Sequence, residues 1–304
     1  MEGELFRWLY RIVVDEHNRK ARKKHLQHSD AWILLVFFWA VIHERPRCWA
    51  CRAVNWDAEV LAGGDLPSPA TLSRRMRSFS VLHLLLAVLN RLLSLRPPGL
   101  LHVLDGKPLV VGPCTKDRDA KRGRAHDVMA NGYRLLACWG DGQRVVPEAW
   151  VLAPMNRDEA ELAQAQLLEQ IPTAGGGGYV LGDAMYDHND LHQAMGQRGL
   201  QLLAPRKRPG SGLGHCWHSP YRLRSIALLE NAAVGGGGGG NDFGRKLYAL
   251  RPQIERDFAH LVSFGGGLAC LPAWVRTPHR VAAFVAAKLV INAFRLCQIK
   301  GLAA

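Results

Sequence analysis

The tetrapeptide Arg96-Pro97-Pro98-Gly99 divides the chain into two stretches of different rhythm. Proline has no backbone N–H to donate, and it pushes the preceding residue out of the helical region, so no helix runs through this point. Before it, apolar residues recur at helical spacing. After it, short apolar runs alternate with turn residues and helical segments. The break therefore predicts two regions, residues 1–97 all-helical and residues 98–304 mixed α/β.

In the first region, Ser29 is placed to cap a helix through Ala31–Ile42 (AWILLVFFWAVI). That run is far shorter than the roughly 20 apolar residues a bilayer requires, which predicts a buried helix and no membrane partner. The basic stretch Arg19, Lys20, Arg22, Lys23 and Lys24 fits a solvated face and a phosphate-contacting arm equally well. Asn55–Leu61 suits a short helix ended by Gly63-Gly64. Ser68 followed by Pro69 then starts another, with Arg74 and Arg75 in its body. Two helices joined by a tight turn, the second rich in arginine, give the outline of a helix-turn-helix, with Arg74 and Arg75 as candidate DNA contacts. An amphipathic helix with a basic outer face has the same outline. Val81–Leu95 reads as a further buried helix.

In the second region, Leu100–Asp105 (LLHVLD) predicts a buried strand. Tyr133–Gly140 and Val145–Leu152 predict a hairpin turned at Asp141-Gly142. Asp158–Gln170 has helical spacing, Tyr179–Gly182 is a strand, His188–Arg198 a helix and Leu200–Ala204 a strand, before a helical C-terminus. This order predicts a mixed sheet: a hairpin built onto strands joined through helices. Glycine runs at Gly175–Gly178, Gly235–Gly240 and Gly265–Gly267 read as loops.

Thirty-nine Lys and Arg against 26 Asp and Glu give a net charge of +13. A protein this basic attracts polyanions, and nucleic acid heads its expected partners. Met1–Asp15 lacks the apolar core of a secretory signal, and seven cysteines, an odd number, fit free thiols in a reducing cytoplasm. Cys48-Trp-Ala-Cys51 near His43, with His215, Cys216 and His218 far along the chain, is a weak zinc pattern, because a structural site needs two well-spaced ligand pairs.

The acids carry the chemistry. Asp105 and Asp183 each follow an apolar strand candidate, and ligands of α/β sheets gather at the carboxyl ends of strands. Either alone reads as a turn residue; a third acid changes the reading. Pro252 favours a helix starting near Arg251, on which Ile254, Phe258, Leu261 and Val262 form an apolar stripe with Glu255 at its edge. A carboxylate there can reach from a packed helix towards the sheet edge.

With these residues in place, the chain resembles the DDE transposases of bacterial insertion sequences over roughly Leu100–Leu296. LDGKPL at Leu104–Leu109 is similar to the family's first catalytic strand. The segment NGYRLLACWGDGQRVVPEAWVLAPMNRDEAEL is similar to its hairpin and the helix that follows. LGDAMYD at Leu181–Asp187 resembles its second catalytic segment. Tyr248, Arg251 and Glu255 match the Tyr-x2-Arg-x3-Glu signature of the third acid. The resemblance implies a ribonuclease-H-like catalytic domain with Asp105, Asp183 and Glu255 as a catalytic, metal-binding triad. The signature ends in a DNA-contacting Lys seven residues after the Glu, where this chain has Val262.

A site of that kind cleaves phosphodiesters with two Mg²⁺ ions, for which Mn²⁺ substitutes, held by hard carboxylate oxygens. The implied function is metal-dependent DNA cleavage and strand transfer at the ends of an insertion sequence. Expected partners are terminal-repeat and target duplexes, bound by a homodimer on paired ends in the bacterial cytoplasm, at the nucleoid. Candidate DNA contacts are Arg251, Tyr248, Lys107, Arg206, Arg74 and Arg75. Two readings compete with it: a relative of the same fold that binds DNA without cutting it, and a nonspecific metal-dependent nuclease.

Overall fold

The computed structural model describes residues 2–19, 26–61, 63–95, 97–112, 116–140, 145–213, 215–230, 242–263, 268, 270–299 and 301–302. In chain order the helices before the first strand are α1 (Glu2–Asn18), α2 (Asp30–Ile42), α3 (Arg47–Ala50), α4 (Ala58–Leu61), α5 (Pro69–Arg75) and α6 (Phe79–Leu93). Then come β1 (Leu101–Val111), β2 (Lys121–Ala125), β3 (Val128–Gly140), β4 (Ala149–Pro154), α7 (Glu159–Leu162), β5 (Gly178–Leu181), α8 (Asn189–Gln197) and β6 (Leu200–Leu203). Helices α9 (Pro220–Glu230), α10 (Phe243–Tyr248), α11 (Gln253–Ser263) and α12 (Pro278–Ile299) follow.

The chain forms two compact units. The helical unit comprises residues 1–95 together with 111–119 and 260–304, so the C-terminal helix folds with the N-terminal ones, where a single cut near residue 97 would separate them. Helices α1, α2, α6 and α12 pack against one another. Helix α2 is apolar on all sides because it is buried on all sides, and Ser29 caps it as expected, its Oγ accepting from Trp32 N–H at 3.1 Å. Helix α12 is the one helix among the described residues with the length and composition to cross a membrane, and it is largely buried within this unit. Ser68 caps α5, accepting from Thr71 N–H at 3.2 Å. The helix expected over Asn55–Leu61 is shorter: a 3-10 turn at Ala53–Asn55 precedes α4.

The sheet unit comprises residues 96–110 and 120–259. Its strands run in the order β2-β3-β1-β5-β6, with β2 and β4 pairing successive parts of β3. Strands β1, β2 and β4 pair antiparallel to β3, whereas β1-β5 and β5-β6 are parallel. This is the expected α/β class: a ribonuclease-H-like mixed sheet flanked by helices, in a chain that also has a helical N-terminal region. One face is covered by α7, the turns after it and α8, with Leu104, Leu136, Val180, Leu191, Leu202 and Tyr186 in that core.

Three expectations change. Strand β1 does not end at Asp105 but continues to Val111, because β3 pairs with it through Val110. Strand β2, Lys-Arg-Gly-Arg-Ala, carries no apolar alternation and forms by pairing with β3 across a tight turn at His126-Asp127, where His126 has φ 54°. The helix expected over Asp158–Gln170 holds α-helical geometry only over α7, then passes through a π-helical and a 3-10 turn. The Asp141-Gly142 turn and the glycine runs Gly235–Gly240 and Gly265–Gly267 lie outside the described residues.

Candidate active site

Parallel pairing of β1 with β5 runs from Leu101 opposite Tyr179 to Val103 opposite Leu181, and there it stops. Strand β5 leaves the sheet through Gly182-Asp183, while β1 goes on, paired with β3. Alternate residues of a strand face opposite sides. Leu104 therefore enters the α7/α8 core, and Asp105 and Lys107 face the other side, where Lys107 Nζ stands 5.9 Å from the Phe258 ring of α11.

The third acid arrives with α11, whose Ile254 and Phe258 are buried, as is Leu261. Glu255 stands outside that stripe with its side chain 68% exposed. In the turn before α11, Arg251 sends its guanidinium among all three carboxylates. Its Nη2 lies 3.4 Å from Asp105 Oδ2 and 3.9 Å from Asp183 Oδ2, and its Nη1 lies 3.7 Å from Glu255 Oε1. These distances are longer than the 2.7–2.9 Å or so of a tight charge-assisted hydrogen bond, and Arg251 Nε is buried without a partner among the described residues. One guanidinium is thus shared loosely by three acids.

The surrounding residues fix this geometry. Tyr248 donates its hydroxyl to the Gly182 carbonyl at 3.1 Å, tying the end of α10 to the segment that carries Asp183. Asp183 Oδ1 accepts from Met185 N–H at 2.7 Å, and Asp105 Oδ1 from Gly106 N–H at 2.8 Å. Asp187 lies beyond. Burial pushes its carboxyl up, but hydrogen bonds from Arg222 and from Lys207 N–H, with the His192 ring 3.7 Å away, outweigh that and hold it well below the usual carboxylate range.

A fourth acid, Glu159, was not expected from the sequence, where it falls within the helical spacing of Asp158–Gln170; in the structure it follows Asp158, which caps α7. It pairs with Arg134, and Tyr186 donates to it at 2.7 Å. It also explains the glycine after Asp105: a Cβ at Gly106 would fall 2.4 Å from Glu159 Oε2.

Asp105 feels the whole cluster. Burial raises its carboxyl first; Arg251 and the Gly106 N–H lower it, and Asp183 and Glu255 raise it again, leaving it at about 6. Such excess negative charge, supplied by oxygen donors alone, fits a hard divalent cation. As the side chains stand, no group of three His, Cys, Asp or Glu among the described residues is close enough to hold an ion. Arg251 fills the space among the acids instead. The same holds for the cysteine and histidine residues weighed for zinc.

Of the other candidate DNA contacts, Arg206 pairs with Glu230 at 2.6 Å and bonds the Ser211 carbonyl at 2.7 Å. Arg75 is used inside the helical unit, bonding Asp30 at 2.5 Å and the His28 carbonyl at 3.1 Å, whereas Arg74 is exposed. The Val262 side chain lies outside the described residues.

No protein-family model matches the chain, and no curated protein matches it. Among solved structures, it is similar to the cryo-EM structure of a piggyBac transposase synaptic complex with hairpin DNA. The two share 10% sequence identity at a TM-score of 0.49, over 97% of this chain and 71% of the other. A likeness that remote says nothing about activity.

Proposed function

We propose that the chain is a DNA transposase of a bacterial insertion sequence, cleaving phosphodiesters at the element's ends and joining the freed 3′-hydroxyl to a second duplex. The observation that supports this best is the meeting of Asp105, Asp183 and Glu255 around Arg251, from one strand, one strand end and one helix distant in sequence.

Asp105, Asp183 and Glu255 would hold Mg²⁺ or Mn²⁺. Bound there, the ions would supply Lewis-acid activation of the attacking hydroxyl and charge neutralisation at the leaving oxygen. The chain's own residues do the rest. Arg251 balances the charge of the acids, and Tyr248 holds the Asp183 segment in place. Glu159, paired with Arg134 and bonded by Tyr186, packs against Gly106 without adding free charge. Lys107, on the same face as Asp105, offers a cation to a scissile phosphate. The positive charge of the chain draws duplex DNA, and a homodimer would pair two element ends. The place of action would be the cytoplasm, at the nucleoid.

One reading keeps the fold and the DNA but not the cutting. It is favoured by Arg251 occupying the centre of the triad and by Val262 standing in the place of a DNA-contacting Lys. Incubating the protein with a terminal-repeat duplex and Mg²⁺ or Mn²⁺ separates the readings. Nicking at the repeat boundary followed by joining supports transposition, cutting without repeat preference a plain nuclease, and binding without cutting in either metal the binding protein.

A further inference from the structure

The helical unit holds three arginines that no carboxylate among the described residues balances. Arg47 opens α3, Arg77 lies in the link from α5 to α6, and Arg280 is in the first turn of α12. Packing gathers them. Helix α3 lies on α2 and α5, and Trp274, in the lead-in to α12, donates to the Glu44 carbonyl at 3.5 Å, just past the end of α2.

The Arg47 guanidinium lies 4.9 Å from the Phe37 ring centroid, with Nε and Nη1 buried and without a hydrogen-bond partner among the described residues. The acids that could answer it are already engaged. Glu44 pairs with Lys288 at 3.3 Å, Asp30 with Arg75 at 2.5 Å, and Asp117 accepts from Thr277 N–H at 3.0 Å. Among the described residues, neither Arg47, Arg77 nor Arg280 has a carboxylate oxygen within 4.0 Å.

The mutual cost of these charges is visible. Burial, then the charges of Arg280 and Arg77, bring Arg47 down to about 10. His279 is lowered by burial and then by Arg280, Arg47 and Arg77. Like charges held together without a counter-charge gain most when an anion enters, and the N-terminus of α12 adds its own positive end.

We propose that Arg47, Arg77 and Arg280 form a binding site for backbone phosphate of duplex DNA, built jointly by the N-terminal helices and the C-terminal helix. Arg77 and His279 are exposed, so a long polyanion can reach the cluster. The inference shares with the proposed function only the choice of DNA as partner; it needs neither metal nor cleavage. It also places the phosphate contact of this unit away from Arg75.

The test is binding of a short duplex of arbitrary sequence to the full chain in EDTA, across a salt series. Arg47 packs on Phe37 and is left intact; the double variant Arg77→Ala/Arg280→Ala is compared with Arg7→Ala/Arg11→Ala, which removes two charges elsewhere on the unit. Losing one or two phosphate contacts should flatten the slope of log K against log salt by about 1–2 and weaken binding at low salt at least tenfold, with little change in the control pair. In wild type, the His279 resonance should titrate at a higher pH when duplex is bound. Equal slopes and affinities for the wild type and the Arg77/Arg280 variant overturn the site. Inorganic phosphate raising the His279 titration when duplex does not would make it a small-anion site and overturn the DNA assignment. A wild-type chain that binds no duplex would overturn the proposed function as well, whereas binding that depends on the arginines in a chain that never cuts would overturn only the catalytic reading.

Discussion

Asp105 and Asp183 each stand two residues beyond the same parallel pair, Val103 opposite Leu181, at the point where β1 and β5 part. The sheet thus delivers two carboxylates side by side, and burial with like-charge crowding holds Asp105 at about 6, above the 3.8 of an ordinary aspartate. Between those values the native state keeps a proton that the unfolded chain has lost, so stability falls as pH rises through this window and stays lower above it. Asp105→Asn has no such penalty. It should match wild type near pH 4 and exceed it by up to about 3 kcal/mol at pH 7.5, read from urea unfolding at both values. A variant less stable than wild type at pH 7.5 would mean that the crowding is not felt.

Arg251 is the cation the three acids share. Arg251→Ala should raise Asp105 further and cost on the order of 2 kcal/mol at pH 7.5, less at pH 4 where Asp105 is protonated. Added Mg²⁺ should raise the melting temperature of the variant more than that of wild type, because it replaces the missing charge. Identical Mg²⁺ responses would argue that the acids do not take the ion.

Gly106→Ala places a Cβ against Glu159, which Arg134 and Tyr186 prevent from moving aside. A loss of about 1–3 kcal/mol is expected from this overpacking. Combining it with Glu159→Ala should cost less than the sum of the two single changes. Strict additivity in denaturant unfolding would show that the glycine is not there for this contact.

Arg74 and Arg75 are adjacent in sequence but differ in what they touch. Arg75→Ala strands the carboxylate of Asp30, whose side chain is 15% exposed, and should cost on the order of 3 kcal/mol. Arg74→Ala should stay within about 0.5 kcal/mol of wild type. Equal losses in thermal unfolding would remove the distinction.

The pattern of what could be read follows from these cases. The apolar run into Asp105 and the spacing of Tyr248, Arg251 and Glu255 are local, so the acids could be named from sequence. The continuation of β1 through Gly-Lys-Pro-Leu-Val-Val was hidden, because glycine and proline argue against a strand and pairing with β3 overrides them. The charged strand β2 likewise exists through its partner. The use of Arg75 on Asp30, 45 residues away, and of Glu159 on Tyr186, 27 residues away, depends on tertiary contacts that no local spacing encodes. The union of α12 with the N-terminal helices is of the same kind.

The central claim is that Asp105, Asp183 and Glu255 act as one metal-dependent site. Its most direct measurement is cleavage of a terminal-repeat duplex with Mg²⁺ or Mn²⁺ by wild type and by Asp105→Asn, Asp183→Asn and Glu255→Gln, each checked for duplex binding. The account predicts nicking and joining by wild type, and loss of at least about a thousandfold in rate for each variant with binding retained. The double variants should lose no more than the singles, since one missing ligand already disables the site. Cleavage that persists in Asp105→Asn would contradict it.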